Sequence, residues 1–143
     1  MSDRTLRLAV AVVATAGLGV AVYLTWVHYH PEALVCTRGG GCETVQRSHY
    51  AVLLGVPIAI YGVASWALVL ALVTWDTPTA RALVSAVALV AVVFSAYLVI
   101  VQVAVIDAIC VWCLANDVAL VPAFAGAAAL RLRTPNNESS SVD

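Results

Sequence analysis

The chain has 143 residues, of which 63% are hydrophobic and only 10% charged, and its net charge is −1. Soluble domains run about 45–50% apolar and about 25% charged, so a water-soluble core of this size has no room to hide so much apolar surface. All seven basic residues are arginines and they form no basic cluster, which excludes nucleic acid as a partner because phosphate binding needs a basic face.

Four stretches are long enough to cross a bilayer, since about 20 helical residues cover the roughly 30 Å hydrocarbon layer. Residues 8–27 carry no charge and form the first predicted span. Arg4 and Arg7, followed by Ala14-Thr15-Ala16, also resemble a signal peptide. The apolar run continues past that site to Val27, so an uncleaved span is expected. Residues 28–49 form one substantial loop with His28, His30, Pro31, Glu32, Cys36, the stretch Arg38-Gly39-Gly40-Gly41 and Cys42. Its end, from Glu43 to His49, has the composition of a short interfacial helix.

The second span is predicted over residues 50–74, with Gly62 as a close helix contact. A tight Asp76-Thr77-Pro78 turn leads to the third span, residues 82–106. Asp107 marks the next connection, and residues 109–130 form the fourth span, interrupted by Asp117. Trp26, Trp75 and Trp112 fall near span ends, where tryptophan anchors the interface. Backbone polar groups in lipid must be satisfied within the segment, so the expected class is an all-α, four-helix membrane bundle. It forms a single domain over residues 1–133, and a polar tail, expected to be disordered, follows over 134–143.

With both termini in the cytoplasm, Arg4, Arg7, Arg81, Arg131 and Arg133 lie inside and only Arg38 and Arg47 outside. The positive-inside rule favours that orientation in the cell membrane. Both cysteine pairs, Cys36 with Cys42 and Cys110 with Cys113, then face the outer compartment, where disulfides persist.

Cys110 and Cys113, three apart at a helix start, share one face within disulfide reach. Backbone N–H groups there favour a thiolate. Asn116 and Asp117 follow on the same face. Cys36 and Cys42 sit on a Gly-rich, flexible segment, which suits a relay by thiol–disulfide exchange. Three readings are open from spacing alone: redox catalysis, two inert structural disulfides, or a shared metal site. The last is disfavoured because Cys-x5-Cys is not a usual zinc half-site and the compartment is oxidising, so no metal is expected.

Cys36-x5-Cys42, the following Glu43-Thr44-Val45-Gln46-Arg47-Ser48-His49-Tyr50-Ala51, Gly55-Val56-Pro57, Tyr61-Gly62 and Cys110-Val111-Trp112-Cys113 together resemble the vitamin K epoxide reductase (VKOR) family, of the prokaryotic type. The resemblance implies a quinone-linked thiol oxidoreductase whose four helices enclose a quinone under the cysteine loop. By position, Cys113 would face the quinone and Cys110 would exchange with the loop. Cys36 and Cys42 would take electrons from a reduced thioredoxin-like protein, supporting disulfide formation outside the cytoplasm. Many relatives carry a fused thioredoxin-like domain; the short tail after Arg133 implies a separate partner here. Ser48 matches a serine between loop and active site.

The resemblance leaves open whether the quinone is of menaquinone, ubiquinone or phylloquinone type. Animal members place a tyrosine one turn after the second Cys-x-x-Cys cysteine and an asparagine on the second span. Here those positions are Asp117 and, near Tyr61, Ile58, so epoxide reduction is not inferred. A carboxyl in the membrane usually faces a cavity, and Asp117 is expected to donate a hydrogen bond or a proton to the quinone; the bland alternative is a helix-packing residue. Two rival functions are a DsbB-type dithiol oxidase, whose cysteine pairs both lie in loops, and a non-enzymatic four-span scaffold.

Overall fold

The computed structural model describes residues 2–36 and 40–134. Arg38 and Gly39 of the Gly-rich stretch, and the tail beyond Thr134, lie outside the described residues. Helix α1 (Asp3–Tyr29) starts where the Ser2 side chain accepts the Thr5 N–H, with Asp3 in the first turn facing the helix dipole. Its buried residues, Leu6, Val10, Ala14, Gly17, Ala21, Leu24 and Val27, recur every three or four positions and make one inward stripe. The residues between them are also apolar, and Val12 and Trp26 are more than half exposed. An apolar outer face is what a helix in lipid presents.

A 3₁₀ turn (Pro31–Ala33) and the short helix α2 (Cys42–Arg47) follow, with Ser48 at the C-terminal cap of α2. A second 3₁₀ turn (His49–Ala51) leads into a two-stranded hairpin, β1 (Val52–Leu53) against β2 (Val56–Pro57). Helix α3 (Ile58–Trp75) therefore begins at Ile58 and not at residue 50. Leu54 and Gly55 both take positive φ, 54° and 80°, and turn the chain back on itself. Pro57 lacks an N–H and sits at the helix cap, where that loss costs nothing.

Asp76, in the left-handed region, closes α3, and Thr77 with Pro78 opens α4 (Pro78–Ile100). The third crossing is prolonged by a wide π turn (Val101–Ile106) and ends at left-handed Asp107. The fourth crossing runs from α5 (Val111–Leu114) through a second π turn (Ala115–Leu120) into α6 (Val121–Arg133). Pro122 cannot serve the carbonyl four residues back, and beside it the Val121 N–H reaches the Asn116 carbonyl five back, so the helix widens there.

Among the described residues, four helical stretches are long and apolar enough to cross a membrane: Asp3–Tyr29, Ile58–Trp75, Pro78–Ile106 and Val111–Arg133. This is an all-α, multi-pass membrane protein. Helix α1 packs on α3 and α6, and α4 on α3 and α6, which closes the bundle.

At one end of the bundle, charges from all four crossings meet. Arg81 pairs with Asp3 (3.0 Å) and Asp76 (3.2 Å), Arg131 with Asp3 (3.2 Å) and Asp76, and Arg7 with Asp76 (3.4 Å). Arg7 also donates to the Val73 and Thr74 carbonyls at the end of α3. Arg7, Arg81 and Arg131, read from the sequence as topology markers, therefore also tie the start of α1, the α3–α4 turn and the end of α6 together. The cysteines lie at the opposite end.

Midway, Gly17 on α1 faces the Trp66 ring so closely that a Cβ there would overlap it, and Trp66 meets Phe124 of α6 edge-on at 5.4 Å. Gly62 is a milder close approach between α1 and α3: a Cβ would come to 3.3 Å from the Cβ of Ala21. Replacing Gly17 by Leu should cost about 1–3 kcal/mol and lower the melting temperature by several degrees. Gly19→Leu, at a position with no neighbour within 4 Å, should leave it nearly unchanged. Thermal unfolding in detergent checks the pair; equal melting points for the two variants would contradict this packing.

Candidate functional site

At the loop end, Leu24, Val27, Cys42, Val45 and Cys110 form a buried cluster, and Cys36 and Cys113 pack against it. Cys36 and Cys42 are joined as a disulfide, whereas Cys110 and Cys113 are free thiols. The two pairs thus meet across the interface between the loop and the head of the fourth span.

Several hydrogen bonds hold that interface. The Gly41 N–H donates to the Ile109 carbonyl at 3.1 Å. The Trp112 Nε1–H donates to the Val35 carbonyl at 2.7 Å, and the Val35 N–H donates to the Tyr23 hydroxyl at 2.8 Å. The Tyr23 and Trp112 rings pack at 5.1 Å. Trp112 is therefore a clamp on the loop as well as a residue near a span end. The expectation of a freely flexible loop needs correcting for its described ends, because Val35 and Gly41, on either side of the cysteine segment, are both tied to the fourth span. Cys42, the first residue of α2, is fully buried, and Cys36 is half-buried.

Cys110 sits at the cap of α5, just before the first residue of the span. Its thiol is lowered from the usual range to about 6, chiefly by the hydrogen bond with the Cys113 side chain. Burial opposes the shift; the Cys113 and Trp112 backbone and the Gln46 side chain favour it. This cysteine is the readier thiolate at neutral pH. The Gln46 Nε2 donates to Cys113 Sγ at 3.6 Å, which links α2 directly to the second thiol.

Below the cysteines lies a cavity of about 450 Å³, running between α3 and α4 toward the middle of the bundle. Its wall is mostly apolar, with Leu24, Ile58, Val69, Val90 and Phe94 among its residues. Of the four cysteines, Cys113 is the one that lines it. Asn116, Asp117, Ser48, Ile58 and Tyr61 line it too, so the residues singled out from the sequence converge on one space. Ser48 donates its hydroxyl to the Val45 carbonyl (2.7 Å), and Tyr61 donates to Leu53 (3.1 Å), pinning the hairpin over the cavity.

Asp117 is buried within the second π turn. Its Oδ1 accepts from the Ser95 hydroxyl at 2.9 Å and from the Asn116 Nδ2 at 3.0 Å. The Asn116 Oδ1 accepts in turn from the Trp66 Nε1–H at 3.2 Å. This chain of donors fixes the carboxyl through one oxygen. The other, Oδ2, has no hydrogen bond from a described residue, yet none of the fully buried side-chain oxygens and nitrogens among them lacks a partner. Oδ2 therefore keeps some open surface, and Asp117 is among the residues that line the cavity.

Sequence reasoning passed over Ser95, Trp66 and Gln102, and met Gln46 only inside a motif. Their signal was available: an uncharged polar side chain within a span is costly in lipid unless it has a partner or a function.

A volume of this size, apolar walls and a few convergent polar groups suit a flat, largely apolar ligand. Two cysteine pairs packed in one cluster, one of them against that space, suit electron-pair transfer by disulfide exchange. The sequence model described as "Vitamin K epoxide reductase family" matches residues 8–128 of the 143. The chain, a membrane oxidoreductase, belongs to the vitamin K epoxide reductase family.

Proposed function

We propose that this protein moves electron pairs from a dithiol on a separate thioredoxin-like protein, through Cys36–Cys42 and Cys110–Cys113, to a quinone in the cavity. The result is disulfide formation outside the cytoplasm. The observation that carries the reading is the packing of all four cysteines in one buried cluster, with Cys113 alone reaching the cavity. An inert scaffold needs neither contact between the pairs nor a polar-tipped apolar cavity beneath them. A DsbB-type arrangement fits less well, because Cys110-x-x-Cys113 sits at the head of a span.

The partner's dithiol opens Cys36–Cys42 in two displacements, leaving as a disulfide and giving two loop thiols. The Cys42 thiolate attacks Cys110 of an oxidised Cys110–Cys113 bond, and Cys113 departs as a thiolate. Cys42 takes this role because it is buried in the same cluster as Cys110, while Cys36 is the more accessible to a partner. Cys36 then attacks Cys42 of the mixed disulfide, closing the loop disulfide and releasing Cys110. The loop disulfide beside free Cys110 and Cys113 corresponds to this stage. A bound quinone supplies an acceptor for two electrons and two protons, and their removal re-forms Cys110–Cys113. Asp117, fixed by Ser95 and Asn116 in the cavity wall, holds or moves a proton at the acceptor side.

Replacing Cys113 by Ala should trap a Cys42–Cys110 disulfide, visible by mass spectrometry of the non-reduced digest. Finding Cys36–Cys42 intact and Cys110 free in every molecule would overturn this electron path. Asp117→Asn should retain part of the quinone-reducing activity, because it keeps a donor. Asp117→Leu should lower it about tenfold, the scale of one hydrogen bond worth about 0.5–1.5 kcal/mol. Partner-to-loop exchange should survive both changes. Wild-type quinone turnover and KM in the Leu variant would return Asp117 to a packing role.

A further inference from the structure

Gln102 is the most deeply buried amide side chain of the cavity wall, 3% exposed, in the π turn that ends the third crossing. Its Oε1 accepts the backbone N–H of Cys110 at 2.9 Å. Because that neighbour is a donor, the amide oxygen must face it, and the amide nitrogen must point the other way. The Gln102 backbone carbonyl is already occupied by the N–H groups of Asp107 and Ala108. The side-chain Nε2 has no acceptor among the described residues. Fully buried side-chain nitrogens and oxygens among those residues all have partners, so this nitrogen keeps some open surface, and Gln102 is among the residues that line the cavity.

An NH₂ group facing an apolar cavity is costly unless a ligand acceptor meets it. Asp117 presents its unpaired Oδ2 from the fourth crossing, and Gln102 presents its Nε2 from the third. Two polar atoms on separate walls match a ring bearing two oxygens better than a plain hydrocarbon or a ligand with one polar end. We propose that Gln102 donates a hydrogen bond from Nε2 to one carbonyl oxygen of a quinone-class ligand, while Asp117, carrying a proton on Oδ2, donates to the other. This rests on the quinone reading above and deepens it. With one side chain, Gln102 then ties the Cys110 backbone to the ring that accepts its electrons.

Gln102→Met keeps the length of the side chain and deletes the donor. The test compares two probes, 2-methyl-1,4-naphthoquinone and its one-carbonyl relative 2-methyl-1-tetralone, binding to full-length purified protein by quenching of tryptophan fluorescence. Wild type should prefer the quinone about fivefold to tenfold, since the tetralone forfeits one hydrogen bond. In Gln102→Met that preference should collapse toward one, a change in ratio that general loosening of the site would not produce. An unchanged preference in the variant would overturn the role of Gln102 while leaving the cavity reading intact. No binding of the naphthoquinone to wild type would overturn both.

A second measurement leaves Gln102 in place. Infrared spectra of carbonyl-¹³C-labelled naphthoquinone bound to Asp117→Leu should still show one carbonyl band lowered from its position in apolar solvent. Two bands at the solvent position would overturn the proposal even if Gln102→Met failed to fold.

Discussion

The docking of the cysteine loop onto the head of the fourth span is the contact on which the rest of the site depends. It is made by few groups: Gly41 to Ile109 through the backbone, Trp112 to Val35, and Tyr23 bracing both. With the loop so held, Cys42 is buried in one cluster with Cys110, and Val45 and Gln46 of α2 line the cavity, with Gln46 reaching Cys113. Without it, the two disulfide-forming pairs would be separate features of an unremarkable bundle. Thiol exchange requires sulfurs to approach along a line, so fixing both sides of the loop does more for the chemistry than length or flexibility would.

Below that contact the bundle solves a different problem, how to keep polar groups in a dry interior. Each is held by a partner from another crossing: Ser95 by Asp117, Asn116 by Trp66, Gln102 by the Cys110 backbone. The two π turns matter here. Val101–Ile106 carries Gln102, and Ala115–Leu120 carries Asn116 and Asp117, so both widened stretches bring polar side chains to the cavity wall. At the far end the Arg7, Arg81, Arg131, Asp3 and Asp76 network joins all four crossings. A network of this kind holds the cavity walls in register at the end where no loop covers them.

Much of this was legible in the sequence. Uncharged runs of about 20 residues admit little besides membrane helices, and the cysteine spacings with Gly55-Val56-Pro57 carried the family. Cys113, Asn116 and Asp117 followed from helical offsets, which the π turn alters without moving them off the cavity. The start of α3 was misplaced because hydropathy does not distinguish an apolar hairpin from an apolar helix; the breakers Gly55 and Pro57 were the better guide. Gln102 and Ser95 were passed over because one amide or hydroxyl barely moves a hydropathy average. Their partners lie 8 and 22 residues away, and the partner of Asn116 lies 50 away, so only the fold could name them. Arginine positions in the sequence report topology one at a time, whereas the pairing of Arg7, Arg81 and Arg131 with Asp3 and Asp76 is a property of the assembled bundle.

The central claim is that Cys110 and Cys113 are the pair that meets the electron acceptor. Its most direct test uses protein carrying Cys36→Ser and Cys42→Ser, fully reduced, freed of reductant and given one equivalent of a soluble menaquinone analogue. Two thiols should disappear for each quinone reduced, and mass spectrometry should place a disulfide between Cys110 and Cys113. Both thiols persisting, with the quinone unreduced, while the unsubstituted protein reduces it at full rate, would rule out Cys110 and Cys113 as the pair that meets the acceptor.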